Sequence, residues 1–417
     1  MSESRVALIL AGGRGKRMDI LCHLRPKPAL PFAGTFRVID FTSSNCVHSQ
    51  IADIGVLIDY QRAGMAEYLR QWHSANGGAT NLCVLPPRVG SYAGTADAVY
   101  QNLDYLEKQG SDTVLILAGD HIYKMDYHKM ITFHHMMKAD ATVGVVRVPI
   151  EETHRFGTVT VDAQNRITEF VEKSPMSQSN LASMGIYVFN KDLLARRLSE
   201  DARELGSRHD FGYSILPRMV KADRVFAYEF NGYWHDIGTV EAYYEANMEL
   251  LRPQPRFSLD SDWPILSDRG ILPVRRASGE GSIVNSLVGP GCVIKGYVEN
   301  SVLSPGTYVA EKAIVRNSVV MAQASIGNSS VVEGCILDEG VTIGEFSHIG
   351  VGTTPLAAKG DVTVLGKEVT VPSHTVITRN CRILPHTGSV DFVTNVIPGC
   401  YHFAARYAPQ STVLAEV

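Results

Sequence analysis

The sequence predicts an α/β protein in two halves of different construction: a Rossmann-like domain with a mostly parallel sheet, followed by a C-terminal left-handed parallel β-helix. Through residues 1–250, short aliphatic runs alternate with helical patterns, as a parallel sheet flanked by helices requires. A basic, glycine-rich loop follows the first of those runs directly, where α/β folds place their ligands. After Gly281 a repeat of about six residues takes over, the mark of a β-helix with three short strands per turn.

Val6–Leu10, Ile54–Ile58, Val114–Ala118, Ala141–Val148 and Ile186–Phe189 are short, aliphatic or β-branched, and bounded by Gly, Asp or Asn, so each is expected to be a strand. Helical patterns cover Met65–Trp72, Thr95–Gln109 and Asp126–Lys138. A further helix is expected over Val240–Leu250, and Thr239 is better placed than Asp236 to cap it. Pro253, Pro255, Pro264 and Pro273 break the pattern between Leu251 and Gly279, so 251–280 reads as a linker or extended connecting segment between domains at 1–250 and 281–417. In the second domain Asn285-Ser286-Leu287-Val288, Asn300-Ser301-Val302-Leu303, Asn317-Ser318-Val319-Val320 and Gly334-Cys335-Ile336-Leu337 start 15, 17 and 17 residues apart. Within that spacing Val302, Tyr308, Val319, Ser325 and Val331 keep the shorter period. The alternative, an antiparallel sandwich, would want longer alternating strands.

Composition narrows the function classes. Of 417 residues, 45% are hydrophobic and 20% charged, as in a globular protein. Lys+Arg 39 against Asp+Glu 43 leaves a net charge of −4, which argues against a nucleic-acid-coating role. The apolar stretch Val6–Ala11 is far short of the roughly 20 residues that span a bilayer, and Gly12, Gly13 and Arg14 follow it without a signal-peptide layout. Seven cysteines, an odd number with no Cys-x-x-Cys pair, read as reduced buried thiols of a cytoplasmic protein.

Leu10-Ala11-Gly12-Gly13-Arg14-Gly15-Lys16-Arg17 is the loop that follows the first strand. Glycines let backbone N–H groups approach phosphate oxygens, and Arg14, Lys16 and Arg17 add cationic donors. It lacks the Gly-Lys-Ser/Thr ending of a Walker loop and the third glycine of a dinucleotide fingerprint. By itself it is equally a plain glycine-rich β–α turn. Together with Lys27-Pro28-Ala29-Leu30, Gly94-Thr95-Ala96-Asp97-Ala98-Val99, Ala118-Gly119-Asp120-His121 and Ala182-Ser183-Met184-Gly185, the loop resembles the sugar-nucleotide pyrophosphorylase family. His209-Asp210-Phe211-Gly212 and Trp234-His235-Asp236-Ile237-Gly238-Thr239 extend the resemblance, in family order, to the glucose-1-phosphate adenylyltransferase (ADP-glucose pyrophosphorylase) branch, whose members also carry a β-helix.

The resemblance implies a nucleotidyltransferase domain that joins ATP to glucose 1-phosphate, giving ADP-glucose and pyrophosphate for glycogen or α-glucan synthesis. It implies Arg17, Lys27 and Asp120 as catalytic residues, with Arg17 and Lys27 neutralising the triphosphate. It implies Mg²⁺ on Asp120 and Asp236. Leu10, Gly12, Gly13, Gly15, Gly94 and Thr95 would contact nucleotide; Tyr92, Gly157, Glu172, Lys173, Ser183 and Asp236 would form the glucose 1-phosphate pocket. A homotetramer with small-molecule effectors bound between the domains is implied as well. The residue types suit a displacement whose attacking phosphate is already anionic, where catalysis is positioning and charge neutralisation. Without the resemblance, Asp120 reads as a strand-end cap, Glu172-Lys173 as a surface ion pair, and Arg17 and Lys27 as solvated charge. His134 and His135, adjacent on a helix, point apart and are not expected to share a metal; His121 is expected to orient Asp120.

Departures from the family pattern keep other readings open. Leu85-Pro86-Pro87-Arg88 lacks the amide that reads the base, Ala93 replaces a cation before Gly94, and Leu24 replaces an activator-binding lysine. Ser174 and Met18 are smaller changes. The alternatives are a non-catalytic regulatory subunit of the same family and a pyrophosphorylase for another nucleotide.

Overall fold

In the computed structural model, which describes residues 5–78, 80–270, 275–277, 282–352, 361–399 and 402–403, the aliphatic runs of the first half join into one nine-stranded sheet. Its centre is parallel: Val6–Leu10 lies between Asp53–Leu57 and Thr113–Ala118, with Asn81–Leu85 beyond Asp53–Leu57 at one edge. Helices cover both faces, so the central strands are apolar on both sides. Val6 and Leu8 join the core under Lys191–Ala202 and Leu216–Ala222; Ala7 and Ile9 join the core under Arg62–Ala75 and Tyr127–Met136.

On the other side of Thr113–Ala118 runs the long antiparallel strand Leu181–Asn190. It pairs in turn with Ala141–Arg147, which is parallel to Val225–Glu229. The register against Ala141–Arg147 shifts between Ser183 and Tyr187, around Gly185 in the left-handed region at φ 67°. Ahead of the shift, Ala182 pairs with Thr158 of the hairpin Gly157–Val161 and Ile167–Glu172. One strand therefore belongs to the sheet's centre and also carries Ser183 past the carboxyl ends of the parallel strands.

Two local departures from the sequence reading have physical causes. The expected helix Thr95–Gln109 is two helices, Thr95–Tyr100 and Leu103–Gln109, because Asn102 leaves helical geometry and its amide donates to Ala98 O and to the Tyr92 hydroxyl. The helix Val38–His48 has no counterpart in the sequence pattern. Its Asp40, Thr42, Ser43, Ser44 and Asn45 are all buried. Thr239 caps Val240–Glu249, accepting from Ala242 N at 3.2 Å.

The second half is a parallel β-helix that, among the described residues, stacks three sheets of eight, seven and five strands, the first strand of the eight, Arg275–Ala277, pairing antiparallel. Leu287 pairs with Val302, Val302 with Val319 and Val319 with Ile336, the spacing of the sequence repeat. Asn285, Asn300 and Asn317 turn successive corners at φ 41°, 47° and 47°, and their side-chain amides bond in a ladder at 3.1 and 2.6 Å. Asparagine tolerates this backbone where branched residues do not. Later the partners spread: Ile336 pairs with Val364 and Ile349 with Ile377, so one coil is longer than its neighbours, with the extra chain between Val351 and Thr363.

The halves share a core. Phe32, Phe41 and Tyr243 of the first pack in one cluster with Leu287, Val302, Val319 and Ile336 of the second. Within the proline-rich segment, Trp263 Nε1 donates to Asn45 Oδ1 and Trp72 Nε1 to Leu266 O, which ties the chain to the first half. Residues 271–274 and 278–281 lie outside the described residues, as does Cys400. The six described cysteines are free thiols; four are buried, but Cys83 is exposed on the edge strand and Cys292 is half-buried, correcting the expectation that all are internal. Among the described residues, no helix is long and apolar enough to cross a membrane.

Candidate active site

The parallel strands deliver their following residues to one edge of the sheet, and a cleft of about 490 Å³ opens there. Every residue that the resemblance implied as catalytic, nucleotide-binding or sugar-binding lines it, whereas Arg14 and Lys16 of the loop do not. Its lining includes Leu10, Gly12, Gly13 and Gly15 of the loop after Val6–Leu10, together with Gly157, Glu172, Lys173 and Ser183. Lys27, Asp120 and Asp236 line it as well.

The centre is assembled by a two-stranded ribbon. Thr113–Ala118 ends at Gly119, where a Cβ would lie 2.8 Å from Ile9 Cγ2, and the chain turns through Asp120 into His121–Tyr123. That segment pairs antiparallel with Trp234–Asp236 and sets Asp236 opposite His121. Two carboxylates remote in sequence thereby meet across one lysine: Lys27 Nζ lies 3.0 Å from Asp120 Oδ2 and 2.9 Å from Asp236 Oδ1. His121 Nε2 stands 3.5 Å from Asp120 and 3.8 Å from Asp236. Arg155 Nη2 reaches Asp236 Oδ2 at 3.4 Å, and Arg17 comes to the same place beside Gly238.

Electrostatics follow from this crowding. Burial would raise the Asp236 carboxyl, but Lys27, His121 and Arg155 outweigh it and hold it well below the usual carboxylate range. Asp120 is lowered in the same way, burial being overcome by Lys27 and His121. Burial would discharge Lys27; Asp120 and Asp236 reverse that and keep it charged. Burial lowers His121, and the two aspartates only partly offset it. The donor set of two hard carboxylates facing one cleft fits a divalent cation such as Mg²⁺, whose remaining positions phosphate oxygens and water can fill.

Glu172 closes its strand opposite Gly157. A Cβ on Gly157 would come 2.5 Å from Glu172 Oε2, and one on Gly212 would overlap the same carboxylate, so both glycines make its room. Lys173 sits in the left-handed region at φ 48°, with Nζ 3.1 Å from Glu172 Oε1. Burial raises the Glu172 carboxyl, partly offset by Lys173.

Three further residues take positions that the motif reading did not specify. Thr95 Oγ1 donates to Asp210 Oδ2 at 2.8 Å and accepts from Phe211 N at 3.0 Å, so its hydroxyl fastens the 207–212 loop. Gly94 leaves space for that loop's backbone, since a Cβ would lie 2.6 Å from Arg208 O. The Tyr92 hydroxyl donates to Leu85 O and accepts from Asn102, while Tyr92 N donates to Asp59 Oδ2 at 3.2 Å. Tyr92 therefore stands beside Asp59 in the cleft lining.

Sequence reasoning passed over Asp59, Arg155, Tyr187 and Trp234, which also line the cleft. Asp59 follows the strand Asp53–Leu57 at its carboxyl end, a position that could have marked it. Arg155 precedes Gly157 in a 3₁₀ turn and has no comparable signal. Pro86 and Pro87 are not in the cleft wall; Arg88 pairs with Asp104 on the outside. His134 is buried with Nδ1 2.8 Å from Thr142 Oγ1, while His135 Nε2 lies 3.0 Å from Thr113 Oγ1, so the two rings serve different partners.

A parallel sheet with a basic glycine loop, paired aspartates at its carboxyl edge and a hexapeptide β-helix behind defines a class. Residues 6–252 match the nucleotidyl transferase family, and residues 273–371 match the GlmU-like C-terminal hexapeptide family. The chain is a nucleotidyl transferase. It is 40% identical over 402 residues to a glucose-1-phosphate adenylyltransferase of Acetivibrio thermocellus, covering 93% of this chain and 94% of the other. It is 42% identical to one of Pseudothermotoga lettingae (94% and 97% covered) and 44% identical to one of Bacillus thuringiensis (81% and 92% covered). Within the class, the chain belongs to the glucose-1-phosphate adenylyltransferase family.

Proposed function

We propose that this chain joins ATP and glucose 1-phosphate into ADP-glucose and pyrophosphate, feeding α-glucan synthesis. The observation that carries the reading is Lys27 between Asp120 and Asp236, in one cleft with the glycine loop and the Glu172-Lys173 pair. A phosphate oxygen of glucose 1-phosphate attacks the α-phosphorus, the bond to the bridging oxygen breaks, and pyrophosphate leaves. The attacking phosphate is anionic near neutral pH, so the protein needs no general base and works by holding charge in line.

Lys173 holds the sugar phosphate, while Glu172 and Ser183 hold sugar hydroxyls. The backbone of Gly12 and Gly13 lies along the triphosphate, and Tyr92 and Gly157 line the glucose 1-phosphate pocket. Arg17 and Lys27 neutralise the charge that gathers on the leaving pyrophosphate. Asp120 and Asp236 would hold Mg²⁺, which when bound supplies positive charge to the phosphate oxygens. A cytoplasmic, homotetrameric enzyme under small-molecule control belongs to the same proposal, supported by the free thiols and the β-helix.

Pyrophosphate release with glucose 1-phosphate, Mg²⁺ and each nucleotide in turn tests it. ATP-dependent release that Asp120→Ala reduces at least about 1,000-fold is the expected result, the scale of removing a central electrostatic group. A preference for UTP over ATP would transfer the reading to another nucleotide. Silence until a second subunit is added would make the chain a regulatory partner.

A further inference from the structure

The catalytic cations Arg17 and Lys27 lie on one stretch of chain, the 3₁₀ segment Lys16–Cys22 and the short turn Lys27–Ala29. That stretch is gripped from behind by the β-helix. Arg25, two residues before Lys27, is buried, and its Nη2 donates to Asp338 Oδ1 at 2.6 Å, while Nη1 lies 3.6 Å from Met321 Sδ. Asp338 is 1% exposed and Glu339 beside it lies 3.5 Å from the same guanidinium. Glu339 also faces Arg37 at 3.7 Å, and Arg37 Nη1 holds Ala29 O, the last residue of the lysine's own turn, at 2.5 Å. Arg382, from a third coil, pairs with Asp19 at 3.2 Å, two residues after Arg17. Lys367 pairs with Glu339 and keeps that carboxylate in place.

We infer that Asp338, assisted by Glu339, is a positioning residue of the active site: the β-helix sets the place of the Lys27 ammonium by anchoring Arg25. The arrangement explains why a guanidinium is buried here at all. A buried arginine is costly unless its hydrogen bonds are met, and this one has its carboxylate supplied by the other domain. A solvent-facing loop held only by its own turn would leave the lysine free to sample positions away from Asp120 and Asp236. Held at Arg25 and again at Ala29, the turn has both ends fixed. The inference rests on the reading of Lys27 as a catalytic cation.

The test is steady-state pyrophosphate release, well below the melting temperature, for wild type, Asp338→Asn, Glu339→Gln, Lys27→Ala and the double variant Asp338→Asn/Lys27→Ala. Ser347→Ala serves as control, since it removes buried β-helix bonds in a different sheet. Asp338→Asn should lower kcat about 10- to 100-fold with little change in KM, the scale of a small misplacement of a reacting group. Glu339→Gln should lose less, Ser347→Ala should lower the melting temperature alone, and the double variant should be no slower than Lys27→Ala. Wild-type kcat in Asp338→Asn, or losses that multiply in the double variant, would overturn the inference. A fully active Lys27→Ala would instead sink the reading of the site on which it rests. If Asp338→Asn is not recovered as folded protein, Glu339→Gln decides, and an unchanged kcat there overturns the inference.

Discussion

At the scale of single residues, buried charge is placed with partners, and one residue carries a pH-dependent consequence. Asp40 accepts from Arg37 N at 2.8 Å and from the Tyr68 hydroxyl at 2.6 and 2.7 Å on its two oxygens. Burial pushes its carboxyl up to about 8, against the opposing effect of those bonds and of Arg37. Its ordinary value is 3.8, so between these limits the folded chain holds a proton that the unfolded chain has lost. The stabilising effect of protonation is complete below the lower value and is lost as pH rises through the upper one. Asp40→Asn should flatten the fall in unfolding free energy between about pH 5 and pH 8; denaturant titrations at several pH values check this, and an unchanged slope would assign it elsewhere. What was legible in the sequence at this scale was what local geometry marks. Gly12, Gly13 and Asp120 stand directly after strands, and motif order pointed to Glu172 and Asp236. Arg155 was not legible, because its approach to Asp236 depends on how a 3₁₀ turn meets a ribbon from a distant part of the chain.

Among the elements, the least readable was the helix Val38–His48, and its chemistry says why. Hydrophobic period marks a helix that is half in water, whereas this one is buried and pairs most of its polar side chains within the protein, Ser43 Oγ being left without a partner. Thr42 donates to Ala118 O, Ser44 to Asp40 O, and Asn45 both donates to Tyr123 O and accepts from Met125 N. It thereby supports the strand end that leads into Asp120. The opposite case is Thr95–Tyr100, read correctly as helical, where the structure adds a contact that the sequence did not show. Thr95 holds the 207–212 loop, whose Gly212 makes space for the Glu172 carboxylate. Thr95→Val keeps the shape and removes the hydroxyl, leaving Asp210 and Phe211 N without their bonds at a cost of about 1–3 kcal/mol. A lower melting temperature and a raised KM for glucose 1-phosphate, with the KM for ATP unchanged, are the expected readouts.

For the whole molecule, the two halves were legible as separate patterns, but their union was not. Repeat spacing located the coils because each coil obeys the same local rule. It carried no information on the cluster in which Phe32, Phe41 and Tyr243 meet Leu287, Val302, Val319 and Ile336, since packing between domains has no period. Deleting the chain after Gly281 would bare that surface and remove both the Asp338 and Glu339 carboxylates that anchor Arg25 and the Arg382 guanidinium that anchors Asp19. The truncated protein should aggregate or lose native assembly, measured by light scattering after expression; a soluble, fully active fragment of native oligomeric size would refute this.

The one long coil has a consequence for how such a protein can change over time. Pairing holds on either side of it, Ser325 with Thr342 before and Val364 with Arg382 after, although 28 positions separate Ile336 from its partner Val364. The entropy of closing a loop grows only slowly with its length, and the corners point away from the apolar interior. Each corner is therefore a place where a lineage can add chain without renegotiating the stack. New surfaces can be tried there one coil at a time: Asp338 and Glu339 lie on the long coil itself and still keep their grip on the catalytic half.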